Sequence, residues 1–305
     1  FRCGNAHCGA RLSKCHNYFV EQVCNRCLVV ESTAEPGALC DACRYNATIP
    51  DLSQPGNRAR WALLEAAKRR LFYGLDLLGL PRGSAADGFQ PPLGFHFLSA
   101  NPEAGGVATS APVFTGHQAG QITIDLQEAD PVLRERQRVQ LGEPQRTLLG
   151  HFRHEIGHYY FEVLVRGRDE ANFAALFGAP EAVTYGQAQQ AYYQNGPAPH
   201  WPAQHISAYA SMHPWEDFAE TFNAYLDLMA VLDTAANLGF VGVPAPDAPL
   251  AERLTYYERF GMLLNELNRS MGLPDPLPDV FVTPVRRKME YIDGRIRQQR
   301  QQAGQ

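Results

Sequence analysis

All seven cysteines fall between Cys3 and Cys43, and none follows in a chain of 305 residues. An odd number packed into so short a segment suits a disulfide framework poorly, because one thiol is left over. Cys24-x-x-Cys27 and Cys40-x-x-Cys43, twelve residues apart, have instead the spacing of a zinc ribbon. Each Cys-x-x-Cys makes a tight knuckle whose thiolates point the same way, and two knuckles close a tetrahedral shell. Cys3, Cys8 and Cys15 then need one imidazole, from His7 or His16, to build a second closed site. Alternatively Cys3 and Cys8 join Cys24 and Cys27, leaving Cys15 with Cys40 and Cys43. A four-ligand site has no open position for chemistry, so one or two structural zinc ions are expected here, with a protein partner as a further use. The metal supplies folding energy that so small a segment cannot find in a core. Thiolate ligands point to a reducing compartment, the cytoplasm.

The rest of the chain reads as a globular body. Hydrophobic residues reach 45%, enough for a core, and charged residues only 19%. The net charge of -5 argues against a nucleic-acid binder, which needs clustered Lys and Arg. No apolar run approaches the roughly 18–20 residues of a membrane span, and residues 1–43 are too polar for a signal peptide. A soluble protein is expected. Residues 58–78 repeat Trp61, Leu64, Leu71, Leu75 and Leu78 at helical spacing, with Lys68-Arg69-Arg70 expected on a solvated face. Residues 93–98 and 121–126 read as strands, and residues 101–120 between them as loop. From Asp130 the pattern is mainly helical, and the Gln-rich stretch from Gln298 is expected to fray. The expected division is a ribbon domain at 1–48, a larger domain at 49–292 and a polar tail at 293–305.

His154-Glu155-Ile156-Gly157-His158 lies on a predicted helix capped by Thr147, whose apolar stripe is Leu148, Phe152, Ile156, Tyr159 and Val163. Residues four apart on a helix project about 40° apart, one turn along. His154 and His158 can therefore grip one metal ion, while Glu155 reaches a water beside it. The plain alternative is a pair of satisfied histidines on a helix.

A second segment bears on that choice. In His213-Pro214-Trp215-Glu216-Asp217-Phe218-Ala219-Glu220, Pro214 suits the first position of a helix. That helix buries Trp215, Phe218, Ala219, Phe222, Leu226 and Met229, and its other stripe is Glu216, Glu220, Asn223 and Asp227. A polar stripe is usually a solvated face, but the first helix needs an anionic third ligand. Glu216 is assigned to it. Glu220, one turn on, would accept the spare ring N–H of a zinc histidine, and Asp217 is the fallback for either task.

Two histidines and a carboxylate leave one position for water, the catalytic form of a zinc site. Glu155 would act as general base toward that zinc-activated water and pass its proton to the leaving amine. Tyr209 is the candidate donor for the developing oxyanion, against the plain reading of a packed tyrosine. His205 and His213 are weaker candidates. His151, on nearly the same face as His154, is assigned to outer support of the site or to polar packing in the core.

Glu128-Ala129-Asp130, Gly142-Glu143 and the run from Arg146 to Tyr160 resemble a bacterial family of zinc-binding metallopeptidases. So do Ser207-Ala208-Tyr209-Ala210, the segment from His213, and the Cys-x-x-Cys-Arg-Tyr-Asn-Ala-Thr-Ile-Pro-Asp-Leu that ends the ribbon. A tyrosine seven residues before the glutamate is similar to lethal-factor-like gluzincins. The resemblance implies a mainly helical α+β gluzincin-like domain with a small β-sheet behind an amino-terminal zinc ribbon. It implies His154, His158 and Glu216 as ligands of one catalytic zinc, Glu155 as base and Tyr209 as electrophile. The family's ribbon has eight cysteines where this chain has seven. It further implies a peptide or protein substrate pairing with an edge strand beside the active helix, the role expected of residues 121–126. The rival expectations are a zinc-stabilised scaffold without turnover, and a hydrolase of non-peptide amides.

Overall fold

The computed structural model describes residues 12–19, 21–24, 27–29, 38–99, 113–141, 146–278 and 280–303. Cys3, His7, Cys8, Gly142, Glu143 and the Cys27 side chain lie outside the described residues. The chain is α+β and forms two compact units, Phe1–Tyr73 with Arg82–Phe152 and Gly74–Pro81 with Arg153–Gln305. No helix among the described residues is long and apolar enough to cross a membrane.

In the first unit, β1 (Leu12–Lys14) and β2 (Cys27–Val29) pair antiparallel, and α1 (His16–Phe19) lies between them in sequence. A second sheet has the order β3-β4-β6-β5, from β3 (Asn46–Thr48), β4 (Gly94–Leu98), β5 (Gly116–Gln118) and β6 (Gln121–Asp125). β3 and β6 run parallel to β4 on either side, and β5 runs antiparallel to β6. Thr48, the expected end of the ribbon, is the last residue of β3 and is paired with His96 of β4 in this sheet.

Residues 121–126 were expected to form an edge strand, but β6 is interior, with β4 and β5 as its neighbours. The reason is β5, a strand inside the expected loop. Ala119 and Gly120 both have positive φ (49° and 86°), a two-residue turn whose twist matches a tight hairpin. A Cβ on Gly120 would meet the Pro92 carbonyl oxygen at 2.4 Å, so only glycine fits there.

The helix predicted at residues 58–78 is α2 (Asn57–Leu77). Trp61, Leu64 and Phe72 are buried with Phe95 and Phe97 of β4 and Ile122 and Ile124 of β6. Phe72 and Phe95 ring centroids are 5.9 Å apart, and those of Trp61 and Phe97 are 6.4 Å apart. Lys68, expected in solvent, is fully buried. Its ammonium lies 2.8 Å from Glu65 Oε1, with both side chains 0% exposed. It also bonds to Asn46 Oδ1 and sits over the rings of Phe95 (5.3 Å) and Phe97 (5.1 Å). Trp61 Nε1 and Asn46 Nδ2 donate to the same Glu65 oxygen at 3.2 and 2.8 Å. Ion pairing, hydrogen bonds and two aromatic faces together hold a charge that helical spacing placed outside. α3 (Pro131–Leu141) follows the sheet.

α4 (Leu148–Leu164) starts as expected, the Gly150 N–H donating to Thr147 Oγ1 at 2.9 Å. The second unit takes α4 from Arg153 onward and adds α5 (Glu170–Phe177), α6 (Tyr185–Asn195), α7 (Pro214–Asn237), α8 (Leu250–Ser270) and α9 (Thr283–Ala303). Its core is aromatic: Phe218 lies 5.7 Å from both Phe161 and Phe177, and Phe222 stacks on Tyr160 at 5.3 Å. Arg253 of α8 and Tyr225 of α7 converge on Asp293 of α9 at 2.5 and 2.7 Å.

The stretch expected to fray is ordered helix. α9 continues to Ala303 because Ile296 is buried, Arg297 donates to the carbonyls of Asp247 (3.0 Å) and Ala248 (2.7 Å), and the Arg300 stem lies 3.5 Å from where a Gly79 Cβ would stand. Gln and Arg are strong helix formers, and their long stems cover apolar surface.

Replacing Lys68 by Ala strands the Glu65 carboxylate inside the first unit. Urea denaturation should show a loss of about 3–5 kcal/mol, where a solvated lysine would cost almost nothing.

Candidate metal centres

Four cysteines meet in the first unit. Cys15, Cys24, Cys40 and Cys43 are buried, are not joined as disulfides, and keep their sulfurs within 4.8 Å of one another. Cys24 Sγ and Cys40 Sγ are 3.8 Å apart, and the Cys40 N–H donates to Cys15 Sγ at 3.3 Å. Zinc–sulfur bonds of about 2.3 Å give a tetrahedron with edges near 3.8 Å, so this donor set fits zinc. Among the described residues the Cys40-x-x-Cys43 knuckle supplies two thiols and Cys15 a third, the trio of the alternative grouping, and Cys24 supplies the fourth. His16 starts α1, its N–H bonded to the Ala38 carbonyl at 2.9 Å.

The second cluster is built by α4 and α7. The Gly157 Cβ position is 2.8 Å from Ala219 Cα and 3.1 Å from its carbonyl oxygen, so the two backbones approach closely where a side chain is missing. Flanking that contact, α4 presents His154 and His158 and α7 presents Glu216 and Glu220. Donor atoms of His154, His158 and Glu216 all lie within 4.8 Å of one another. His154 Nε2 is 3.2 Å from His158 Nε2 and 3.0 Å from Glu216 Oε2, and His158 Nε2 is 3.5 Å from Glu216 Oε1.

On its other side His154 Nδ1 is 2.6 Å from Glu220 Oε1, and Glu220 Oε2 accepts from the Ser207 hydroxyl at 2.8 Å. A carboxylate only accepts, so Nδ1 carries the proton and Nε2 of the neutral ring is a bare lone pair. His154 Nε2, His158 Nε2 and the Glu216 carboxylate thus converge, a donor set that suits a shared cation. The same two carboxylates also favour a proton on the ring. Burial pushes the His154 imidazole down, but hydrogen bonds to Glu216 and Glu220 outweigh it and hold the pKa well above the usual histidine range. Burial also pushes Glu216 up, and the charges of His158 and His154 hold it well below the carboxylate range.

Two tyrosines complete the surroundings. Tyr209 stands in a single helical turn, Tyr209–Ser211, with its ring 6.0 Å from that of His154. Tyr185, at the start of α6, donates to Glu216 Oε1 at 2.8 Å. The two hydroxyls interact, and because the Tyr185 proton is committed to Glu216, the Tyr185 oxygen can only accept from Tyr209. Burial, with Glu216 close by, raises both phenols, and both stay protonated.

The remaining candidates have other partners. Asp217, 1% exposed, is paired with Lys288 of α9 at 2.6 Å and with His205 Nδ1 at 3.1 Å. His213 caps α7: its Nδ1 accepts from the Trp215 N–H at 3.2 Å, and Nε2 faces the Pro180 carbonyl at 3.3 Å. His151, in the first unit, lies 2.9 Å from Glu128 Oε2. Sequence reasoning gave no role to Tyr185, and Ser207 appeared only within a motif. The Thr184 cap marks the start of α6, but nothing in the residue order aims Tyr185 at Glu216.

Comparison with known proteins agrees with this donor chemistry. Residues 57–295 match the model of a family described as "Putative zinc-binding metallo-peptidase", and residues 3–54 match a zinc-ribbon domain. The chain belongs to that metallopeptidase family. It is similar to an uncharacterized protein of Mycobacterium bovis and to uncharacterized proteins of Mycobacterium tuberculosis, each 40% identical over 265 residues that cover 84% of this chain and 75% of the relative. No solved structure matches the chain.

Gly157→Ala should wedge α4 from α7, lowering stability by about 1–3 kcal/mol in thermal or urea melts and reducing metal uptake at the histidine–glutamate cluster. Gly186→Ala, where a Cβ meets nothing within 4 Å, is the neutral control.

Proposed function

We propose that the chain is a zinc-dependent metallopeptidase hydrolysing peptide bonds at the cluster of His154, His158 and Glu216. The observation that carries this reading is the convergence of Nε2 of both imidazoles and Oε2 of Glu216, with the outer face of His154 tied to Glu220. Two histidines and one carboxylate are a ligand set that leaves zinc a position for solvent. Zinc bound there supplies a Lewis acid that makes water acidic near neutral pH and polarises a carbonyl.

The chain's own groups do the rest. Glu155, one residue beyond a ligand and 7% exposed, takes the proton of the attacking water and returns it to the leaving nitrogen. Glu220 fixes the His154 tautomer so that Nε2 is free to ligate. Tyr209, kept protonated, donates to the substrate oxygen as negative charge develops on it. Asp217 takes no ligand role, since Lys288 and His205 occupy its carboxylate. The four-cysteine cluster is a closed structural zinc site with no part in turnover. Peptides or proteins are the substrate class, and the ribbon is available to recruit a partner.

Chelator-sensitive cleavage of a mixed peptide library, read by mass spectrometry, tests the activity directly. Glu155→Gln should keep the full metal content yet lose about 100-fold or more in turnover; cleavage at the normal rate would remove Glu155 as base. Glu216→Ala should lose one zinc per chain by elemental analysis and keep the cysteine-bound metal. An unchanged metal count in that variant overturns the site.

A further inference from the structure

Helix α6 has no buried residue, yet its first residue reaches a carboxylate that is only 1% exposed. The Tyr185 hydroxyl donates to Glu216 Oε1 at 2.8 Å. Its ring lies 5.4 Å from His213 and 6.3 Å from Trp215, the cap and first turn of α7 that precede Glu216. Thr184 fixes the start of α6 by accepting from the Gln187 N–H at 3.4 Å. The phenol is therefore held from two sides.

This makes the two Glu216 oxygens unequal. Oε1 carries the phenol and stands 3.5 Å from His158 Nε2, whereas Oε2 is buried and 3.0 Å from His154 Nε2. We propose that Tyr185 is a positioning residue for the metal: by occupying Oε1 it leaves Oε2 as the donor, so that Glu216 holds the ion through one oxygen. The inference rests on the reading of His154, His158 and Glu216 as zinc ligands. A carboxylate that gripped with both oxygens would take a second coordination position, the one a catalytic ion keeps for solvent. Partners that hydrogen-bond a ligating carboxylate fix its orientation, and their loss commonly costs 10–100-fold in affinity or activity.

The test uses the full chain as wild type, Tyr185→Phe and Tyr185→Leu. Tyr185→Phe removes one hydroxyl and keeps the ring, and melting curves check that the fold is retained. Zinc affinity of the histidine–glutamate site, measured by competition with a chromophoric chelator, should fall about 10–100-fold in Tyr185→Phe. In cobalt-loaded protein the visible absorption of that site should weaken in Tyr185→Phe, as the freed oxygen raises the coordination number. If Tyr185→Phe binds zinc as wild type does and only Tyr185→Leu is impaired, the ring matters for packing alone and the proposal fails. A wild-type chain that takes up no metal at this site would instead overturn the proposed function, which separates the two failures.

Discussion

The candidate site depends on how closely α4 and α7 approach. Each helix carries its groups one turn apart, His154 and His158 on one and Glu216 and Glu220 on the other, and three of them meet at one point, with Glu220 behind His154, only if the backbones nearly touch. Gly157 allows this, since a Cβ there would stand 2.8 Å from Ala219 Cα. Large rings brace the contact: Phe218 against Phe161 and Phe222 against Tyr160 are paired across the same two helices. The small residues set the distance and the aromatic ones hold it.

The first turn of α7 also shows how neighbouring carboxylates acquire different roles. Glu216 and Asp217 are both about 1% exposed, and a buried carboxylate is costly unless paired. Successive helical residues point about 100° apart, so the two meet different partners. Glu216 faces the imidazoles and the Tyr185 hydroxyl, while Asp217 faces Lys288 and His205. The helix N-terminus, capped by His213, favours negative charge at both positions.

A buried carboxylate also ties the first unit together. Glu65 receives Trp61, Asn46 and Lys68 on one oxygen, and the other lies 3.7 Å from Cys43 Sγ. One side chain thus joins the four-cysteine cluster to the core between α2 and the sheet. Lys68 belongs inside for the same reason as Asp217: a partner distant in sequence, or close on the helix but facing inward, supplies the opposite charge.

Local order was legible wherever one element decided the outcome. The histidine pair, the Thr147 cap, the Pro214 start and the helical span of α2 all follow from 3.6-residue periodicity and end chemistry, and the cysteine spacing announced a cluster of cysteines. Glu216 and Glu220 were readable too, because an acidic stripe opposite an aromatic face on a second helix matched what the histidines lacked. The residue order could not say which four cysteines meet, because many pairings satisfy the same spacing. It missed β5, whose turn uses Ala119 where a stronger signal would be asparagine, and so misjudged β6 as an edge. It left Lys68 in solvent, let the end of α9 fray and gave Tyr185 no role. Each of these was decided by contacts between elements far apart in the chain, where burial and pairing outweigh local pattern and where no periodicity records the partner.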